Sequence, residues 1–317
     1  MTELELITEG WNESIIDEVS NFVFNNRIGV YRNTEDADGI RRYLTNIQDR
    51  FPAEKILMVR RKGTLCGWAS LNRDTKSIVE LGRWQPIIEQ TDDEDEIANL
   101  LLEGILDYAK SNEITRIDAK FSEINDNNHE DYQRCAKWFN GKGIGKSEDD
   151  VYLTLQLEHF KVPRTDKLGY WLVWLQYADE EDLYKCYHDT FSKSQDTEFL
   201  NSSESQKREK FEQAIHSDLF NKYLSFVWKD GERIFGFVIV HSRNEEEHIH
   251  LFGILDEYRR KGIAKNMLLK TIKEMIAGGC KMVSIGVDAK NTTAYNLYKK
   301  IGFNVNSRMI VHSINFK

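Results

Sequence analysis

Only three prolines occur in 317 residues, so the loops must take their shape from Gly, Asn and Asp. The four cysteines, Cys66, Cys135, Cys186 and Cys280, have neither paired nor metal-like spacing; this excludes a disulfide framework or zinc module and leaves reduced structural thiols. No apolar run approaches the ~20 residues that a membrane span requires. Positive charge is also in deficit: 43 Lys and Arg against 52 Asp and Glu give a net charge of -9, which argues against a general nucleic-acid binder. The opening MTELELITEG lacks the basic-then-apolar layout of a secretory signal, so the cytoplasm is the expected address. A hydrophobic fraction of 40% and a charged fraction of 30% are those of a globular protein, and the length suffices for two cores.

The chain divides into halves with the same plan. The polar connector FKVPRTDKLG, residues 160–169, follows the alternating stretch VYLTLQL and precedes another, YWLVWLQY. A boundary near residue 165 gives domains 1–164 and 165–317. In the second half YWLVWLQY is followed by helical segments, and LSFVWKDGERIFGFVIVHS reads as a hairpin. The strand HIHLFGIL, a helix, the strand KMVSIGV and a further helix come next. The first half has the hairpin ILMVRRKGTLCGWASLN, the strand VELGRWQPII, the helix DEIANLLLEGILDYAKS and the strands ITRIDAKF and VYLTLQL. Internal duplication accounts for this, and the alternation implies a mixed α/β layer fold in each half.

One helix start is anomalous. DEYRRKGIAKNMLLKTI, residues 256–272, places Arg259, Arg260 and Lys261 where a bare helix favours acids. Ile263, Met267, Leu268, Ile272 and Met275 recur at helical spacing, so the helix begins near Lys261. Its first N–H groups have no intrahelical acceptor, and Gly262 has no Cβ to obstruct an approaching anion. A phosphate there would satisfy the donors and meet the cations. Taken alone, the loop fits an anion site and a helix start with solvated cations equally well.

Downstream, NTTAYNLYKKIGF (residues 291–303) supplies Asn291 as a helix cap, Gly302 as a stop and an apolar face of Ala294, Leu297, Tyr298 and Ile301. The combination resembles the GNAT superfamily of acyl-CoA-dependent N-acyltransferases. Arg259, Gly262 and Ala264 match its Arg/Gln-x-x-Gly-x-Gly/Ala signature, and Asn291, Tyr298, Gly302 and Phe303 match its later Asn…Tyr…Gly-Phe element. The resemblance covers about residues 168–317. It implies that residues 259–264 (Arg259, Arg260, Lys261, Gly262, Ile263 and Ala264) cradle the pyrophosphate of acetyl-CoA. It further implies that backbone at Ile254 and Leu255 runs beside the pantetheine arm like an added strand, and that Asn291 hydrogen-bonds the cofactor.

Amide formation needs a neutral amine, donors to an oxyanion and a proton for the departing thiolate. Tyr298 resembles the family's thiolate donor; a half-buried core tyrosine is the alternative. The glutamate that some members carry on the fifth strand falls at Gly286. His248 and His250 on HIHLFGIL share one face by their period-two spacing and are the candidate bases, since an imidazole with a pKa of about 6.5 shuttles protons near neutrality. The pair's placement relative to Arg259 is similar to that in serotonin N-acetyltransferase. Solvent-facing or packing histidines are the alternative, and no third metal ligand stands nearby. Glu245, Glu246 and Glu247 read as a solvated charge run in a hairpin turn.

Sliding the halves over each other without gaps sets Ile97-Ala98 against Ile263-Ala264. Arg259 then faces Asp93, Gly262 faces Glu96, and His248 and His250 face Gly82 and Trp84; with Gly143 set on Gly302, Phe139 faces Tyr298. TDDEDEIANLLL suits a bare helix start but repels a pyrophosphate. Trp11, Trp68, Trp84 and Trp138 read as core or interdomain residues. The expectation is a tandem protein: a degenerate GNAT-like domain without the cofactor motif, then an N-acetyltransferase domain. Each has a mostly antiparallel twisted sheet flanked by helices. The second domain is expected to move acetyl from acetyl-CoA onto a small-molecule or amino-acid-like amine, with no metal, nucleic-acid or membrane partner. A protein amine as acceptor and a silent acyl-CoA-binding sensor stay open as alternatives.

Overall fold

The computed structural model describes residues 3–50, 53–73, 77–164, 169–243 and 246–316. It forms two compact units, one reaching to Asp149 and resuming at Ser307, the other spanning Asp150–Asn306. The boundary expected near residue 165 falls on residues 165–168, outside the described residues.

Unit 1 contains β1 (Leu4–Glu9), α1 (Glu13–Asn25), α2 (Ala37–Arg50), β2 (Ala53–Arg61), β3 (Thr64–Arg73), β4 (Ile78–Leu81), β5 (Ile87–Ile88), α3 (Glu94–Ser111), β6 (Arg116–Ile124) and α4 (His129–Gly141). The β2–β3 hairpin turns at Lys62 and Gly63, both at positive φ (51° and 83°), the combination that matches strand twist. β4 and β6 are parallel, and α3 makes the crossover between them. In α3 the apolar positions Ile97, Leu101, Leu102 and Ile105 are all buried, as a 3.6-residue period requires. VELGRWQPII is not one strand: the chain breaks after Leu81, and Trp84 at φ 58° turns its indole inward to donate to Ser122 O (2.8 Å).

Unit 2 begins within β7 (Gly145–Gln156), which enters it at Asp150, and contains β8 (Trp171–Trp174), α5 (Glu180–Phe191), α6 (Thr197–Asn201), α7 (Glu204–His216), β9 (Phe226–Asp230), β10 (Arg233–Arg243), β11 (Glu246–Ile254), α8 (Ile263–Ala277), β12 (Met282–Asp288) and α9 (Thr292–Ile301). β13 (Asn304–Asn315) then returns to unit 1. YWLVWLQY forms a strand only over Trp171–Trp174, and Leu175–Tyr177 tighten into a 3-10 turn. The parallel pair here is β11 with β12, joined through α8.

The units therefore share one order of strands, in line with the repeat read from the sequence. Unit 1 runs β1-β2-β3-β4-β6 and unit 2 runs β8-β9-β10-β11-β12. The sixth strand of each comes from the other half of the chain. β13 pairs with β6 from Arg308↔Ile124 to Asn315↔Arg116, and β7 pairs with β12 from Met282↔Gln156 to Asp288↔Asp150. VYLTLQL, placed by sequence in the first domain, thus belongs to the sheet of the second. Each unit has its own core; Trp68 and Trp84 are fully buried in the first, with Trp138 nearly so and Trp11 packed against it.

His312 on β13 is buried in unit 1 between Tyr132 Oη and Ile144 O, both 3.2 Å from its ring nitrogens. Burial pushes its pKa below the ordinary 6.5, the carbonyl of Ile144 opposes this, and Lys146 adds to it. The unfolded chain therefore binds the proton first as pH falls, so this contribution is intact above pH 6.5 and is lost below it. Urea midpoints measured from pH 7 down to about pH 5 should fall. His312→Gln should flatten that slope, and an unchanged slope would show that another group carries it.

Candidate active site

β11 carries one residue more than its partner. Ile239 faces Leu251 and Val240 faces Ile249, which leaves His250 as the bulged residue. A bulge bends and twists its strand, and beyond it β11 leaves β12. The two parallel strands pair only from Glu247↔Val283 to Ile249↔Ile285. β12 continues along β7 to Asp288, while β11 continues along β10 to Ile254. Among the described residues, no strand occupies the edge of residues 250–254 that turns from β12. The opening lies at the C-terminal ends of two parallel strands, where α8 and α9 begin, the place where open α/β sheets hold ligands.

The start of α8 faces this end. Gly262 is its N-cap at φ 74° and ψ -1°, in the left-handed region, and no side chain caps the helix. A Cβ on Gly262 would meet nothing within 4 Å, so the space above it is open. Arg260 is left-handed too, at φ 60°. The first N–H of this turn with a backbone acceptor is that of Asn266, on Gly262 O (3.2 Å), which leaves the amides of Ile263, Ala264 and Lys265 as the orphan donors of the helix. By contrast α1, α5, α6, α7 and α9 are capped by the side chains of Asn12, Asp179, Asp196, Ser203 and Asn291. The helix begins at Ile263, two residues later than the sequence pattern suggests, because the left-handed glycine interrupts it.

The three cations are not equivalent. Arg259 is built into the fold: Nε donates to Ile254 O (3.1 Å), Nη2 to Thr190 O (2.9 Å) and Nη1 to Lys193 O (3.1 Å). It thereby binds the carbonyl end of α5, where a cation also meets the negative end of the helix dipole. Lys261 donates to Glu257 O (2.8 Å) in its own turn, and Arg260 is exposed. Leu255 N–H is held by Phe235 O (2.9 Å), so Ile254 and Leu255 are fixed from the β10 side.

Unit 1 closes the equivalent positions. α3 starts at Glu94, one turn earlier than α8 relative to the matched core residues Ile97 and Ile263, and its extra turn, Glu94–Glu96, replaces the glycine loop. Arg61 pairs with Asp93 (2.6 Å) and Lys137 with Asp95 (2.6 Å), while Trp138 Nε1 donates to Asp95 (2.8 Å). The chain after β4 is held back against β6 by Trp84, whose N–H reaches Lys120 O at 3.3 Å.

His248 and His250 share a face, with ring centroids 6.1 Å apart, but differ in setting. His248 is buried; its Nδ1 lies 2.8 Å from Ser284 Oγ, and Tyr152 of β7 stacks over it at 6.3 Å. His250 is exposed and stacks at 4.1 Å on His241, which is held by Ala214 O (2.8 Å). Gly286, where a glutamate base would stand, lies beside Tyr152: a Cβ there would make ordinary contact with that ring at 3.6 Å. Glu245 lies outside the described residues. The other two acids are not a solvated run: Glu246 accepts from Ser284 (3.1 Å), and Glu247 accepts from Ser242 (3.0 Å) and Asn221 (3.3 Å) while burial raises its pKa.

Tyr298 is buried on α9 against Phe303, and burial pushes its phenol pKa well above the ordinary value, so it remains a proton donor near neutrality. Asn291 accepts from Ala294 N (3.2 Å), and Asp288 fixes the turn before it by accepting from Lys290 N (2.7 Å). Tyr152, Ser284 and His241 escaped the sequence reading. Ser284 could be found two residues from Gly286 on the same strand face; nothing in the sequence signals that Tyr152 crosses into this sheet. No group of three metal-binding side chains occurs among the described residues, and no helix there is long and apolar enough to cross a membrane.

Residues 181–303 match the model of the Acetyltransferase (GNAT) family. Over 88 residues the chain is 33% identical to the mycothiol acetyltransferase of Corynebacterium efficiens, covering 27% of this chain and 29% of that one. Over 68 residues it is 31% identical to human N-alpha-acetyltransferase 30, covering 22% and 19% respectively. The chain thus matches less than a third of the length of either relative. The crystal structure of a GCN5-related N-acetyltransferase from Sphaerobacter thermophilus superposes with a TM-score of 0.66 over 98% of this chain and 95% of that chain, at 14% identity, which shows a common fold.

Arg259 serves three carbonyls from one guanidinium, a geometry that Lys cannot copy. Arg259→Lys should cost about 1–3 kcal/mol in chemical denaturation. A change below about 0.5 kcal/mol would mean that the α5 contact is incidental.

Proposed function

We propose that this chain, a member of the GNAT acetyltransferase family through residues 181–303, transfers the acetyl group of acetyl-CoA directly to a primary amine. The observation that carries the reading is the parting of β11 from β12 beside the uncapped, glycine-opened start of α8. An open strand edge suits an extended amide-bearing arm, and orphan helix amides suit a pyrophosphate, so the residues present fit this cosubstrate. Ile254 and Leu255 would flank the arm, the 260–264 backbone would receive the pyrophosphate with Arg260 and Lys261 nearby, and Arg259 would hold the loop in shape. Asn291 would contribute from the start of α9.

The cosubstrate supplies an acetyl carbon activated as a thioester. The chain's own residues supply the rest. His248 or His250 takes a proton from the amine nitrogen as that nitrogen bonds to the acetyl carbon. The carbon–sulfur bond breaks, and Tyr298 gives its proton to the departing thiolate sulfur. Burial keeps this phenol protonated and also makes it a weaker acid, so the step relies on its placement rather than on its acidity. Unit 1 is read as a degenerate copy, since its first α3 turn and Trp84 fill the matching positions.

The acceptor is read as a small-molecule or amino-acid-like amine, for which the likeness to a mycothiol acetyltransferase speaks. A protein N-terminus is the second reading, favoured by the likeness to an N-alpha-acetyltransferase.

Thiol release from acetyl-CoA, followed with glucosamine, phenylethylamine, amino-acid amides and a short peptide with a free N-terminus, tests both. Tyr298→Phe should lower the rate roughly 10²-fold with CoA affinity unchanged. Binding of CoA without acceleration by any amine would instead support a sensor. Gly262→Glu should abolish CoA binding in a calorimetric titration, with about 1–2 kcal/mol of added strain at this left-handed position. Retained affinity would place the site elsewhere.

A further inference from the structure

Beyond the two histidines, the same face carries a chain of polar groups with a defined direction. Ser284 Oγ lies 3.1 Å from Glu246 Oε1 and 2.8 Å from His248 Nδ1. Ser284 and His248 are buried, and they are direct partners in the short parallel pairing of β11 with β12. A carboxylate can only accept, so the single hydroxyl proton of Ser284 is committed to Glu246. The serine oxygen is then left to accept from the ring, which requires the proton of neutral His248 to sit on Nδ1. Nε2 becomes the nitrogen with the lone pair.

We propose that Ser284 and Glu246 are positioning residues that hold His248 in its Nδ1–H form, with Nε2 as the proton-accepting atom. The inference rests on the acyl-transfer reading above. In the transfer step the amine proton passes to Nε2, the ring becomes a cation, and Glu246 faces it through one hydroxyl. Around this ring stand Glu246 and His250 on β11, Ser284 on β12 and Tyr152 from β7, with His241 opposite it in the register with β10. His250 is held differently, by stacking on His241, whose own ring is tied to Ala214 O.

The tautomer can be read without any acceptor. Long-range proton–nitrogen correlation of histidine-labelled protein near pH 8, with His248→Gln to assign the signal, should show wild-type His248 as Nδ1–H. Ser284→Ala removes the acceptor, and Glu246→Ala frees the serine proton to donate to Nδ1. Both should move His248 toward Nε2–H, while Ser284→Thr keeps the wild-type form. Unchanged signals from His241, buried in the same unit on Ala214 O, would exclude unfolding as the cause. In the thiol-release assay Ser284→Ala should lower kcat/KM about tenfold, less than the roughly 10²–10⁴-fold that a general base supplies in full because the ring itself remains, with CoA affinity unchanged and Ser284→Thr restoring the rate. Wild-type His248 as Nε2–H, or as an Nδ1–H form that survives both alanine variants, overturns the proposal and leaves acyl transfer standing. A chain that holds the tautomer yet releases no thiol with any amine overturns the acyl-transfer reading, and with it the catalytic sense of the positioning.

Discussion

The arrangement of unit 2 follows from one extra residue in β11. Every strand in a sheet must pair its backbone groups or leave them to another partner, and two parallel strands ordinarily pair to their ends. Here His250 interrupts the register with β10, and pairing with β12 stops one residue earlier, at Ile249. The bend keeps each strand with its antiparallel neighbour and surrenders contact between the parallel pair. The unpaired edge, the orphan amides of α8 and the buried phenol on α9 all lie in the elements that leave this parting.

The contrast between the units shows how one fold position accommodates opposite demands. A helix start tolerates exposed donors where something else will meet them; otherwise it favours acids and caps. In unit 1 Asp93, Glu94 and Asp95 at the start of α3 pair with Arg61, Arg134 and Lys137. In unit 2 Arg259 anchors the loop from behind through carbonyls, and no side chain caps the helix ahead of it.

Much of this was legible in the residues themselves. The 3.6-residue pattern gave α3 and α8, and alternation gave the central strands, because each buries one continuous face. Arg259, Gly262 and Asn291 stood out because capping and left-handed geometry leave chemical traces. Other features left none. Trp84 and Pro86 sit in what reads as a strand, yet the backbone turns there. Arg259 reads as a ligand-facing cation, but its guanidinium is engaged by carbonyls 66 and 69 residues earlier in the chain. Such contacts depend on tertiary placement, to which local pattern is blind. The same holds for Tyr152, which reaches His248 only because β7 joins β12.

The exchange of sixth strands has a consequence for the order of assembly. Unit 2 can gather all six of its strands once Ile301 has been made, since β7 precedes the rest of it in the chain. Unit 1 cannot: its core includes Ile310, and the edge of β6 waits for β13. Domains usually close in the order in which a ribosome delivers them. In this chain the first unit to emerge is the last to be completed, and part of its core stays uncovered until synthesis has passed the end of the second.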